Sequence, residues 1–123
     1  MKKVLLLIVA IVLATILFPL GFLFTIGRAA WQGSLSKMVG YLLATSYALA
    51  IAIDHFGNVF CRDMFNSLVI GRGGYAFGNI RETISSAMGK NQQRGTLTWA
   101  GVGLAWILDT IDKDHCLKSI KDV

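Results

Sequence analysis

Glu82 is the residue most able to do chemistry. It stands in "GNIRETISSAMGKN", residues 78–91, among the hydroxyls of Thr83, Ser85 and Ser86 and the bases Arg81 and Lys90. A lone carboxylate so placed could act as a general acid or base. It could equally serve a helix start. Asn79 stands three residues before Glu82, the spacing of a capping box, and an acid there also favours the helix dipole. The expectation is therefore capping by Asn79 and Glu82, with the helix ending at Gly89 or Asn91 and "QQRG" forming a turn.

Other reactive residues lie far away in sequence. His115 and Cys116 are adjacent and are flanked by Asp112 and Asp114, either of which can cap a short closing helix. Neighbouring residues on a helix do not face one another, which argues against a Cys–His nucleophile. No C-x2-C or H-x3-H spacing occurs, so no metal is expected. A polar cluster of Asp54, Asn58, Glu82, Thr83, Ser85, His115 and Cys116 can form only if the fold brings these segments together. "GRGGYAFGN", residues 71–79, has four glycines and reads as a loop. It lacks the GK[ST] of a phosphate loop, and no cofactor is expected.

The elements that must position these groups are helices, and the first two are apolar. Of 123 residues, 54% are hydrophobic and 15% charged, against roughly 25% charged in soluble domains. Residues 4–26 form an uncharged stretch long enough to cross a hydrocarbon core of roughly 30 Å, with Pro19 expected to kink it. The stretch exceeds a signal-peptide core and "GRAA" is a poor cleavage site, so an uncleaved anchor is expected. Trp31 suits the interface, and Ser34 can cap a second helix.

Residues 38–53 are also uncharged but slightly short for a span. Gly40, Ala44, Ala48 and Ala52 recur every fourth residue. Such a strip lets a second backbone approach, either in a hairpin with residues 4–26 or between copies of the chain. An alanine-rich helix with chance spacing reads the same way. Residues 54–70 keep a helical rhythm, with Phe56, Phe60 and Met64 on one side. Residues 96–112 form a helix begun by Thr96 or Thr98. It is too short to span and belongs in a core or at an interface. Leu97, Leu104, Leu108 and Ile111 share one stripe of it, and Trp99 and Trp106 lie on another.

Charge is uneven. Lys2, Lys3, Arg28 and Lys37 stand in residues 1–53 without an acid, while the other eight bases face seven acids in residues 54–123. The pI near 9.5 thus reflects topology-setting charge, not a nucleic-acid stripe. Lys2 and Lys3 favour a cytoplasmic N-terminus. Two spans, residues 4–26 and 38–53, are the expected arrangement and return the module to the cytoplasm; the alternative, one span, places it outside, where Cys61 and Cys116 could form a disulfide.

The pattern "DHFGN…GG…FGN…ETISS…G…ILDTIDKDHCLKSI" resembles small proteins encoded by tailed bacteriophages and prophages. Asp54, Asn58, Gly74, Glu82, Thr83, Ser85, Asp114, His115 and Cys116 carry the resemblance across residues 54–121. Arg81 departs from it, since many relatives have Asp there. The resemblance implies a phage origin, and it implies that the Glu82 segment meets the His115–Cys116 end. It brings no activity.

The expected class is an all-α membrane protein: a membrane region, residues 1–53, and a small helical module, residues 54–123. The expected role is non-enzymatic, at the bacterial inner membrane. The expected partners are the bilayer, a second copy through the small-residue strip, or a host or phage envelope protein, as in superinfection exclusion or envelope remodelling. A holin-like lysis protein is the alternative. An envelope enzyme using Glu82 with His115 is a third. A membrane-anchored phage lysozyme would place an Asp or Cys at position 91 and a Thr at 97, and those positions hold Asn91 and Leu97.

Overall fold

The computed structural model describes residues 1–123 as an all-helical chain. Two compact units divide it, Met1–Ser46 and Tyr47–Val123.

The first unit holds α1 (Lys2–Trp31) and the opening turns of α2 (Leu35–Phe60). Helix α1 extends the expected apolar stretch at both ends and runs unbroken through Pro19. Gly33, at φ +66°, makes the turn between the helices, and Ser34 caps α2 by accepting from the Lys37 N–H at 3.3 Å. Near this turn Ala29 is buried, and Thr25, Ile26, Met38 and Tyr41 are half-buried. Elsewhere the apolar side chains of α1 are exposed, apart from the half-buried Ala14. The hydroxyls of Thr15, Thr25 and Ser46 donate to carbonyls one turn back in their own helices. Their hydrogen bonding therefore needs no water. Both α1 and α2 are long and apolar enough to cross a membrane.

Helix α2 does not end near Ile53. It continues to Phe60, because Asp54, His55 and Asn58 accept helical geometry and Gly57 does not interrupt it. The chain turns at Cys61 into α3 (Arg62–Leu68), so residues 54–70 form two helical pieces. A loop over residues 69–83 follows. One antiparallel bridge, Ile70 to Leu97, is the sole β pairing.

The second unit is built around α4 (Ile84–Arg94). Ser85, Ser86, Ala87, Met88, Gly89 and Asn91 are all buried. The start and end of α4 both differ from expectation. Thr83 is the cap, and its hydroxyl accepts from the Ser86 N–H at 3.1 Å. Asn79 instead closes a local turn, with its side-chain oxygen accepting from the Arg81 N–H. Glu82 therefore lies before the cap and plays no part in a capping box. Gly89 and Asn91 lie inside the helix, and "QQR" completes it. Gly95, at φ +66°, is the stop, as a left-handed C-terminal residue favours glycine.

Helix α5 (Trp99–Ile111) starts at Thr98, whose hydroxyl accepts from the Gly101 N–H. Leu104, Ala105 and Leu108 pack on the core, while Ile111 is exposed and leaves the expected stripe. Helix α6 (His115–Lys118) closes the module and packs on α4 and α5. Asp114 precedes it at φ 58° and makes no capping bond, and Asp112 instead binds His115 and Lys118. Phe65, Val69, Phe77, Met88 and Cys116 are central in the core.

Candidate functional site

The face of α4 that meets the loop carries the ladder 82, 86, 90. Residues four apart on a helix lie one above the other. Glu82, just before the helix, is fully buried. One carboxylate oxygen accepts from Ser86 Oγ at 2.6 Å and pairs with Lys90 Nζ at 2.6 Å. The other accepts from Tyr75 Oη at 2.8 Å. Lys90 Nζ also donates to Tyr75 Oη at 3.3 Å and lies 4.3 Å from the centre of that ring. Burial alone would lower the pKa of Lys90. Its hydrogen bonds to Glu82 and Tyr75, with their charge, outweigh that and hold it above the ordinary 10.5.

Three asparagines fix the loop that brings Tyr75 to this pair. Asn91 accepts from the Tyr75 N–H at 2.7 Å and from Thr96 Oγ1 at 2.7 Å, and it donates to the carbonyls of Tyr75 and Ala87. Asn66 pairs with the N–H and carbonyl of Phe77. Asn58 donates to the carbonyls of Asn79 and Glu82 and accepts from the Gly78 N–H. Glycine at 78 is required by its φ of +118°. Loop backbone that cannot pair in a sheet thus pairs with amides from α2, α3 and α4.

The expected polar cluster is divided by this arrangement. Asp54 accepts from Ser85 Oγ at 2.7 Å, and Asn58 holds the Glu82 backbone, so α2 does meet the start of α4. Cys116 is buried beneath α4, where Gly89 leaves room for its backbone. Its N–H donates to Asp109, whose second oxygen accepts from Gln92. Ser86 Oγ accepts from the Lys121 N–H at 2.9 Å. The α4 segment and the chain end therefore meet, but His115 does not reach Glu82. Its Nδ1 is 3.2 Å from Asp112, and Glu82's oxygens are occupied by Tyr75, Ser86 and Lys90.

The arrangement has little exposed chemistry. Burial, followed by the charge of Asp109, pushes the Cys116 thiol up to about 12, which suppresses a thiolate nucleophile. Cys61 and Cys116 are free thiols. Hydrogen bonds from Lys118 and His115 lower the pKa of Asp112, which is exposed. A groove of about 540 Å³ runs past Tyr47, Asp54, Thr83, His115 and Lys118. A smaller hollow of about 320 Å³ lies by Tyr75, Lys90 and Arg94. No three His, Cys, Asp or Glu side chains converge as metal ligands. Gly40, Ala44, Ala48 and Ala52 are exposed along α2.

Sequence reasoning missed Tyr75, Lys90, Asn91, Asn66 and Asp109. The four-residue spacing of Glu82, Ser86 and Lys90 was the available signal. The long-range amide contacts left none.

No family model, curated protein or solved structure matches the chain.

Proposed function

We propose that this is a non-enzymatic, membrane-anchored phage or prophage protein whose helical head engages a protein or the bilayer at the host inner membrane. The observation that carries the reading is the commitment of Glu82. This carboxylate is fully buried and saturated by Tyr75, Ser86 and Lys90, the arrangement of a structural lock. Two further features support it. Helices α1 and α2 are long and apolar enough to span, and the hydroxyls of Thr15, Thr25 and Ser46 are satisfied within them. The phage origin rests on the resemblance over residues 54–121.

Controlled expression of the full chain in a bacterial host tests this reading. Alkali-resistant membrane association, normal growth and reduced phage infection are the expected result. Sudden collapse of membrane potential and lysis would replace it with the holin reading. Loss of a phenotype in a well-folded Glu82→Gln variant would replace it with an enzyme.

A further inference from the structure

Helix α5 is apolar on both sides. Gly101, Leu104, Ala105 and Leu108 face the module's core, so the helix cannot roll to hide its other side. That other side carries Trp99, 90% exposed, with Val102, Trp106 and Ile107 also exposed. Helices apolar all round are ordinarily covered all round. No charged residue occurs from Gly95 to Leu108. Neither exposed indole N–H has a hydrogen-bond partner within the chain.

A second exposed stripe leads to the same place. Leu49, Ile53, Phe56 and Phe60 follow one face of α2 at helical spacing, and Phe60 is 76% exposed. Phe56 and Phe60 stack at 5.4 Å. Met64 and Leu68 extend the exposed apolar surface along α3. The Leu68 carbonyl accepts from Thr98 Oγ1 at 2.6 Å, and Val69 accepts from the Thr98 N–H. The end of α3 is thus joined to the start of α5, where Trp99 stands.

We propose that the outer face of α5, with the Phe56–Leu68 stripe, beds into the lipid interface as a lateral foot of the module. The occupant is a bilayer for two reasons. The stripe continues the surface of α2, a helix apolar enough to span. The exposed tryptophans have the amphipathic chemistry that concentrates at headgroup level, with free N–H groups for lipid oxygens. An interfacial helix buries its apolar face about 5–10 Å deep. The foot rests on the membrane-anchor reading.

The test uses full-length protein reconstituted into phosphatidylcholine–phosphatidylglycerol vesicles. Trp31→Phe leaves Trp99 and Trp106 as reporters. Trp99→Phe combined with Trp106→Phe leaves Trp31 to report on the anchor. The lipids carry bromine either near the headgroup end of the acyl chain or near its terminus. Strong loss of Trp99 and Trp106 emission, greater with shallow bromine, is the expected result. Quenching of Trp31 alone would overturn the foot and leave the anchor intact. No quenching of any tryptophan, with failure to float with vesicles, would remove both. Unquenched but blue-shifted Trp99 and Trp106, with cross-linked dimers, would give the face to a second copy and overturn the lipid assignment.

Discussion

The Lys90 ammonium lies 2.6 Å from a Glu82 carboxylate that has no solvent-exposed surface. Removing one partner from a buried pair strands a charge and costs about 3–5 kcal/mol, whereas an apolar pair of similar size is often neutral. Glu82→Ala should therefore lower the melting temperature of the detergent-solubilised protein sharply. Glu82→Leu with Lys90→Met should recover much of the loss. A double-mutant cycle on thermal unfolding measures this. A double variant that loses the sum of the Glu82→Leu and Lys90→Met losses would mean that the two residues act separately.

The same pair sets an alkaline limit. The folded state holds the Lys90 proton more tightly than the unfolded chain, because its pKa is raised from 10.5. That contribution is fully present below the unfolded value and is lost as pH rises through the folded one. Melting temperature against pH should fall more steeply above pH 10.5 for the wild-type protein than for the Glu82→Leu, Lys90→Met variant. Parallel curves would count against the pair as the source.

How legible this site was in the sequence depends on what fills the core. Helices α1, α2 and α5 announce themselves through long apolar runs. Helix α4 is expected from its capping signals, but its buried face is not, because that face includes Ser85, Ser86 and Asn91, which ordinarily read as surface, and Gly89, which reads as a stop. Their burial follows from partners distant in sequence: Asp54 for Ser85, Lys121 for Ser86, the Cys116 backbone beside Gly89 and Tyr75 for Asn91. Asn79 offered a plausible cap by spacing, but Thr83 stands closer to the buried run and takes that role. The glycine-rich loop was correctly recognisable as a loop. Its three asparagine clamps were not, since amide contacts across many residues leave no periodic trace.

Asn91 joins the loop, α4 and the start of the following segment through its side chain. Asn91→Leu keeps the volume but leaves the Tyr75 N–H without its acceptor, and the Thr96 hydroxyl keeps only the backbone carbonyl of residue 91 at 3.3 Å. An orphaned donor costs up to about 1–3 kcal/mol when buried, and the Tyr75 N–H is part-buried. The variant should lose stability, and the Tyr75 amide should exchange hydrogen faster than in wild type. Unchanged protection at Tyr75 would show that the loop does not depend on this clamp.

Two glycines inside helices should respond to alanine in opposite ways. A Cβ at Gly89 would collide with the Cys116 backbone and stand 2.7 Å from Ile120 Cγ1. Backbone cannot swing aside as a side chain does, so Gly89→Ala must push α6 from α4. A loss at or above the upper end of the about 1–3 kcal/mol usual for overpacking is expected. At Gly103, nothing lies within 4 Å of an added Cβ. There alanine has only its helix preference to express, worth about 0.5–1 kcal/mol in favour of the fold. Thermal melts of the two variants should move in opposite directions. A neutral Gly89→Ala would mean that α6 docks loosely and that Cys116 is not held as described.

Cysteine reactivity checks the same packing without disturbing it. Cys116 has no exposed surface, and its thiol pKa is pushed up to about 12, first by burial and then by Asp109. Thiolate is the reactive form, so the folded Cys116 should resist a maleimide at neutral pH. Cys61, at the turn into α3, is only half-buried. Wild-type protein in detergent should therefore take up one label readily and the second only on denaturation. Cys61→Ser should abolish the fast label and Cys116→Ala should leave it. Rapid double labelling of the folded protein would show that α6 opens from α4 on the timescale of the reaction, and the lock between Ser86 and Lys121 would have to open with it.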